Sequence, residues 1–261
     1  MQSVNRRVVL GGLAAFSTSH PSRAATAENL SVAADEESVA LTRYAADQTG
    51  KRAGIVVLHG SRGLELKPRA YQRYADALTA AGIDVYLARY FTTADLPVFD
   101  PKTSTRQRRE AHETERFEGW AKRVSSVVTA ILARPESSGR VGLLGFSLGG
   151  FVAANAAARD DRIAALAVLY GGMPDAMAAN TKRLPPLLEL HGDADRNVPF
   201  AKGQELVKLA DAVGSTAEQV TYPGKDHGFD FSDTDPATAD AIGRVTRFFQ
   251  ARLAVLDFAN L

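Results

Sequence analysis

What most limits the folds open to this chain is an alternation. From Leu30 onward, short runs of β-branched and aliphatic residues take turns with longer segments whose apolar residues recur every three or four positions. The run Gly54–Leu58 (Ile55, Val56, Val57, Leu58) has no polar face, as a strand covered on both sides requires. Strands of that kind, separated by amphipathic helices, assemble into a mostly parallel sheet flanked by helices on both faces, the α/β class. The pattern predicts strands at Ser31–Ala34, Val39–Tyr44, Ile83–Ala88, Arg140–Phe146, Ile163–Tyr170, Pro186–His191 and Gln219–Tyr222. Between them, one helix starts near Pro68, one ends near Ala133, one runs from Ser147 to Ala158 and one stops at Gly214; a last helix carries Ile242, Val245 and Phe249. Tyr90–Thr105 follows neither period and contains Pro97 and Pro101, so it reads as a loop. No linker or repeat divides the body, and residues 25–261 are read as one domain.

Residues 1–24 differ in kind. Arg6-Arg7 precedes the apolar run Val8 to Phe16, and a polar stretch follows, ending in Ser22-Arg23-Ala24-Ala25. That is the pattern of an export signal, and the paired arginines resemble the twin-arginine variety. The apolar run is too short to span a bilayer, so the processed chain is expected to be periplasmic or secreted with no stable membrane anchor. The leader holds three of the chain's 31 basic residues and none of its 30 acidic ones, so the remainder is slightly acidic. It has no basic excess for a phosphate backbone, and nucleic acid is not an expected partner. The absence of cysteine rules out disulfides, thiolate metal sites and a thiol nucleophile.

Gly145-Phe146-Ser147-Leu148-Gly149 fits G-x-S-x-G and falls between a predicted strand and a predicted helix. In that setting the motif is a nucleophile elbow: a sharp turn lifts the serine hydroxyl clear of the sheet, and glycines two residues away on either side leave room for it. The backbone N–H of Leu148, at the helix N-terminus, is placed to meet a developing oxyanion. A serine needs a base to take its proton, and the base needs an acid to orient it. Chain order for such elbows is serine, acid, histidine; of five histidines, His227 alone fits. The acid belongs in His191-Gly192-Asp193-Ala194-Asp195, where Asp193 and Asp195 compete: an aspartate at the first position serves to cap a turn, and Asp195 sits further along the loop. All these residues fall at the carboxyl ends of predicted strands, where ligands of open α/β sheets bind.

Gly145-Phe146-Ser147-Leu148-Gly149-Gly150, the G-x-x-D-x-x-V-P run from Gly192 to Pro199, and Asp226-His227-Gly228-Phe229 together resemble the dienelactone hydrolase family, over about Ala53 to Leu253. The resemblance implies an α/β-hydrolase fold, Asp195 as the acid, His227 as the base and Ser147 as the nucleophile. It also implies the backbone N–H of Ser61 as a second oxyanion donor, with Arg62 one step away. The family's namesakes carry cysteine at the elbow and a matching glutamate where this chain has Gly60, and an arginine where it has Tyr90-Phe91-Thr92. The expectation is therefore a serine esterase acting on small esters or lactones rather than on dienelactone itself.

His112-Glu113 lacks the second histidine of a zinc-binding H-E-x-x-H helix and reads as a solvated helix face. Arg106, Arg108 and Arg109 read as exposed charge at a helix start, though they could meet an anion at a pocket rim. Neither phosphate-binding glycine motif occurs, and no metal or cofactor is inferred. An acyltransferase or small-peptide hydrolase would use the same three residues, and a catalytically silent binding protein could keep the fold without them. The leader generates its own test: the mature N-terminus should lie near Ala25, and changing Arg6 and Arg7 together to Lys should abolish processing. Exported protein that still begins at Met1 would refute cleavage.

Overall fold

Along each central strand, successive residues feed two different cores. Ile55 and Val57 point to one face of the sheet and Val56 and Leu58 to the other, and Leu143/Leu144 and Val168/Leu169 divide in the same way. A sheet apolar on both faces must be covered twice, and the computed structural model, which describes residues 27–35 and 37–254, shows how. The strands are β1 (Ala27–Val32), β2 (Val39–Tyr44), β3 (Arg52–Leu58), β4 (Asp84–Arg89), β5 (Ser137–Phe146), β6 (Ile163–Leu169), β7 (Leu187–Gly192) and β8 (Ala217–Tyr222). They form one sheet in the order β1-β2-β4-β3-β5-β6-β7-β8. The pairs β1/β2 and β2/β4 are antiparallel, and all others are parallel.

Helices α1 (Pro68–Ala80) and α7 (Pro236–Leu253) bury Tyr74, Leu78, Val245 and Phe249 against one face. The opposite face is covered by α3 (Arg106–Leu132), α4 (Leu148–Arg159) and α6 (Phe200–Ala212), through Trp120, Val124, Val152 and Leu206. From β3 the chain moves outward to β4 and then returns to β5 on β3's other side. That reversal opens a crevice at the carboxyl ends of β3 and β5, the usual ligand position in such sheets. The fold is thus the expected α/β architecture, a mostly parallel sheet in a single domain. The proposed leader lies outside the described residues. No helix among the described residues is long and apolar enough to cross a membrane.

Three local expectations need correction. The first strand is Ala27–Val32 rather than Ser31–Ala34, because its register is set by antiparallel pairing with β2 (Ala27 opposite Tyr44, Val32 opposite Val39), not by local pattern. The short helix α5 (Asp175–Ala178) was not expected, and it is a single turn with no buried face. The segment 90–105, read as a loop, contains α2 (Leu96–Phe99), and His112 is not on a solvated face.

Both parts of the third correction have one cause. Asp95, fully buried, accepts hydrogen bonds from the Thr92 backbone N–H (2.7 Å), Trp120 Nε1 (2.9 Å) and Arg116 Nε (3.1 Å), and lies 2.7 Å from His112 Nε2. Burial pushes this carboxyl up, but hydrogen bonds from Trp120, Thr92 and His112 outweigh that and hold it low. One carboxylate therefore pins an aperiodic segment to α3. Asp95→Ala would strand these donors without their acceptor and should cost roughly 3 kcal/mol in a urea titration. A loss under about 1 kcal/mol would contradict the assignment.

Candidate active site

The turn after β5 is built on close backbone approach. Ser147 has φ 54° and ψ −122°, a conformation that L-residues avoid and that costs on the order of 1–3 kcal/mol. The surroundings hold it there: its N–H donates to Leu169 O (3.0 Å), and its carbonyl accepts from Gly150 N (2.8 Å). A Cβ at Gly145 would stand 2.3 Å from Gly149 O, and one at Gly149 would stand 2.2 Å from Leu58 O. Only glycines allow α4 to start directly off β5 and over the end of β3. Ser147 is the N-cap of α4 rather than its first helical residue, so the hydroxyl projects from the turn.

The other two residues arrive on loops that are joined to each other. Ala194 N–H donates to Lys225 O (3.1 Å), Asp193 N–H to Tyr222 O (3.3 Å), and Gly192 packs so closely that a Cβ would sit 2.2 Å from Lys225 O. These contacts bring the loop after β7 against the loop after β8. Asp195 Oδ2 lies 2.7 Å from His227 Nδ1, and His227 Nε2 lies 2.9 Å from Ser147 Oγ. With a carboxylate facing Nδ1, that nitrogen carries the hydrogen, and Nε2 is left to accept from the serine hydroxyl.

Asp195 and Asp193, alternatives in sequence, stand in different surroundings. The Asp195 side chain is fully buried, and its Oδ1 accepts from the N–H groups of Asn197 (2.8 Å) and Val198 (2.9 Å). Burial pushes this carboxyl up, but hydrogen bonds from His191, His227 and Val198 outweigh it and hold Asp195 well below the ordinary carboxylate range. Asp193 is exposed and accepts from Gly224 N–H (2.6 Å), a turn contact away from the imidazole. Next to His227, Asp226 is tied to Arg196 and accepts from the His227 N–H (2.8 Å), so it orients the loop rather than the ring.

Sequence patterns missed a further set of residues. Tyr170, at the end of β6, also has positive φ (43°), and its ring lies 4.6 Å from the His227 ring. Its hydroxyl and that of Tyr74 each donate to Asp230 at 2.8 Å, and Asp230 is fully buried three residues after His227. Burial raises the Asp230 carboxyl against the pull of these two hydroxyls. The histidine loop is thus anchored to α1 and β6. The F-D after H-G is its only trace in sequence, and the partners come from elements 60 and 156 residues away.

Ser147 and His227 open on a cavity of about 720 Å³. Ser61 and Leu148 line the same cavity. Gly60 N–H is committed to Tyr71 Oη (3.2 Å), and the turn's own hydrogen bond runs from Gly63 N–H to Gly60 O, using neither the Ser61 nor the Arg62 amide. Leu148 is the first residue of α4, where amides have no partner within the helix. Arg106 and Arg109 also face the cavity; Arg106 is paired with Glu110. Glu113, half-buried in the same wall, is pushed up to about 7 by burial and then by the charge of Glu110. His59, buried beneath the crevice and stacked on Tyr90, is driven down to about 4 by burial, so it is neutral at ordinary pH. Among the described residues, no cluster of three or more His, Cys, Asp or Glu is arranged to hold a metal ion.

A sequence model described as the dienelactone hydrolase family matches residues 41–253. No curated protein sequence matches the chain. Among solved structures, a dienelactone hydrolase from Anabaena variabilis is 19% identical with a TM-score of 0.69, covering 88% of this chain and 99% of its own. A dienelactone hydrolase-like promiscuous phosphotriesterase from metagenomic libraries is 18% identical with a TM-score of 0.72, covering 88% and 99%. The thermostable carboxylesterase EstE1, from a metagenomic library, is 15% identical with a TM-score of 0.69, covering 90% and 92%. At these identities the structural likenesses carry the fold alone. The contrast between the two loop aspartates yields a direct comparison: Asp195→Asn should lower ester hydrolysis by at least about a hundredfold more than Asp193→Asn at equal folded content. The reverse ranking would move the role to Asp193.

Proposed function

The chain belongs to the dienelactone hydrolase family, and from that premise we propose that it is a serine hydrolase of small carboxylic esters or lactones, with Ser147 as nucleophile, His227 as general base and Asp195 as the orienting acid. The observation that carries this reading is the pair of contacts on one imidazole, 2.7 Å to a buried carboxylate and 2.9 Å to the hydroxyl of a strained serine. A buried His-Asp pair alone has many structural uses. One aimed at a hydroxyl lifted out of a sheet, inside a cavity, has the parts of acyl transfer.

The steps follow from the atoms. Ser147 Oγ attacks the carbonyl carbon as its proton passes to His227 Nε2, and the imidazolium is stabilised by Asp195 through Nδ1–H. The carbonyl oxygen becomes an oxyanion and is met by the N–H groups of Leu148 and Ser61. The C–O bond to the leaving group breaks as His227 returns the proton to the departing oxygen, leaving an acyl ester on Ser147. Water then repeats the sequence as nucleophile, with His227 again the base, releasing the acid. The cavity of about 720 Å³ suits a small substrate. The residue pattern of the first two dozen positions supports export to the periplasm or beyond as part of the same proposal.

Ser147→Ala should fold normally and lose hydrolysis of short p-nitrophenyl esters by about 10³-fold or more, leaving only what an oxyanion site and binding supply. A variant that keeps more than about a tenth of the wild-type rate would refute the nucleophile assignment. For a neutral ester, kcat/KM should rise with pH along a single-proton curve to a plateau, because only the neutral imidazole accepts the serine proton. Neither iodoacetamide nor EDTA should slow the reaction. A profile flat from acid to neutral pH, or inactivation by EDTA that zinc reverses, would contradict the mechanism.

A further inference from the structure

Behind Asp195, on the side away from His227, lies a second histidine and a second acid that the proposed reaction does not use. His191 and Glu189 are both on β7 and both have zero solvent exposure. His191 Nδ1 is 2.8 Å from Glu189 Oε1, and Nε2 is 3.1 Å from Val198 O and 3.3 Å from Asp195 Oδ2. Glu189 Oε2 accepts from Gln219 Nε2 on β8 at 3.0 Å. Helix α6 closes over the acid at Gly203, where a Cβ would stand 2.4 Å from Glu189 Oε1, and the Phe200 ring meets the His191 ring edge to face.

The proton positions follow from these partners. Nε2 faces only acceptors, a carbonyl and a carboxylate, so it must carry a hydrogen. One more proton lies between Nδ1 and Glu189. Burial alone would push His191 down, but its hydrogen bonds to Asp195 and Glu189 lift it to about 9, which favours the charged form of a ring set between two acids. A buried ion pair costs several kcal/mol per ion in desolvation, and apolar residues would fill the same space without that cost. The pair therefore calls for a role beyond packing, and it meets the candidate site at the Asp195 carboxylate.

We propose that His191 and Glu189 form a positioning dyad that presents a fixed N–H edge to Asp195 Oδ2, so that this oxygen is shared between two histidines. This deepens the proposed serine hydrolase reading and rests on it. Asp195 Oδ1 is already occupied by two backbone N–H groups, so Oδ2 is the atom whose charge His227 feels. A second donor on Oδ2 disperses that charge and weakens its hold on the His227 proton. The dyad thereby keeps the base neutral, and the enzyme active, at lower pH than Asp195 alone would allow. The other groups around the relay are accounted for. Asp226 is tied to Arg196, Lys225 to Asp235, the Tyr170 hydroxyl to Asp230, and Lys202 on α6 to Asp175 and Glu205.

The test is the pH dependence of kcat/KM for a neutral p-nitrophenyl ester in wild-type protein and in His191→Leu, His191→Asn and His191→Gln. Asn still meets Glu189 but is too short to reach Asp195, so it guards against failure of the Leu variant to fold; Gln can return an N–H toward Oδ2. In the Leu and Asn variants the midpoint of the acid limb should move up by roughly half a pH unit or more, with the alkaline plateau within about threefold of wild type. The Gln variant should recover at least half of that shift. A dyad that merely props up the loop would instead let Asp195 drift. The midpoint would then stay or fall, the plateau would drop, and the proposal would be overturned. Ser147→Ala run alongside separates the two failures. If it is as active as wild type, the hydrolase reading falls and takes the dyad with it; if it is dead while the His191 variants keep the wild-type midpoint, the dyad alone falls.

Discussion

The structure depends on how closely α4 approaches the ends of β3 and β5. The carbonyl of Leu58 and the backbone of Gly149 are near enough that a single added methyl would overlap them, and so are Gly145 and the carbonyl of Gly149. That contact forces the chain from strand to helix with no intervening loop. The one residue left between them, Ser147, takes up the distortion as positive φ. The strain is sustained by ordinary forces, a sheet buried on both faces and backbone hydrogen bonds on both sides of the turn. Its result is a hydroxyl standing above the sheet at the start of a helix.

Around that fixed hydroxyl the partners are held by successive layers of contact. The loops after β7 and β8 are joined through Gly192, Ala194 and Lys225, which brings the imidazole and the carboxylate to one place. Asp230, clasped by Tyr74 and Tyr170, ties the histidine loop to both α1 and β6. Asp195 is held by the backbone on one oxygen and shared on the other. The side chains nearest the cavity are thus fixed by groups that never reach it, as a preorganised site requires.

How much of this could be read from sequence follows from the range of each interaction. Gly145, Ser147 and Gly149 were legible because a sharp turn is a local demand, and glycine spacing records it. Chain order leaves His227 as one candidate, and its imidazole stands 2.9 Å from Ser147 Oγ. Asp193 and Asp195 differ by two positions and look alike as letters. Position in the loop and the G-x-x-D resemblance favour Asp195, and the packed structure adds its burial and its 2.7 Å contact with His227, against an exposed turn contact for Asp193. The β3 and β5 runs announce themselves through two-sided apolarity, whereas β1 depends on a partner strand, and the local pattern catches only its last two residues. Asp95, Glu189 and His191 left no readable pattern, and Asp230 left only the F-D after H-G. Each is a buried polar group completed by residues from other elements, and from the letters alone Asp95 and His112 fell into a loop and a solvated helix face.

The central claim is that one strained serine, held against one imidazole, is the nucleophile. Covalent labelling with a fluorophosphonate tests it most directly, because the reagent reacts with a serine whose proton a neighbouring base removes and leaves ordinary surface serines untouched. Intact-mass measurement on the wild-type protein should show one label per chain, peptide mapping should place it on Ser147, and labelling should abolish ester hydrolysis in step with its extent. An unlabelled protein that still hydrolyses esters, or a label on another serine with full activity remaining, would contradict the account.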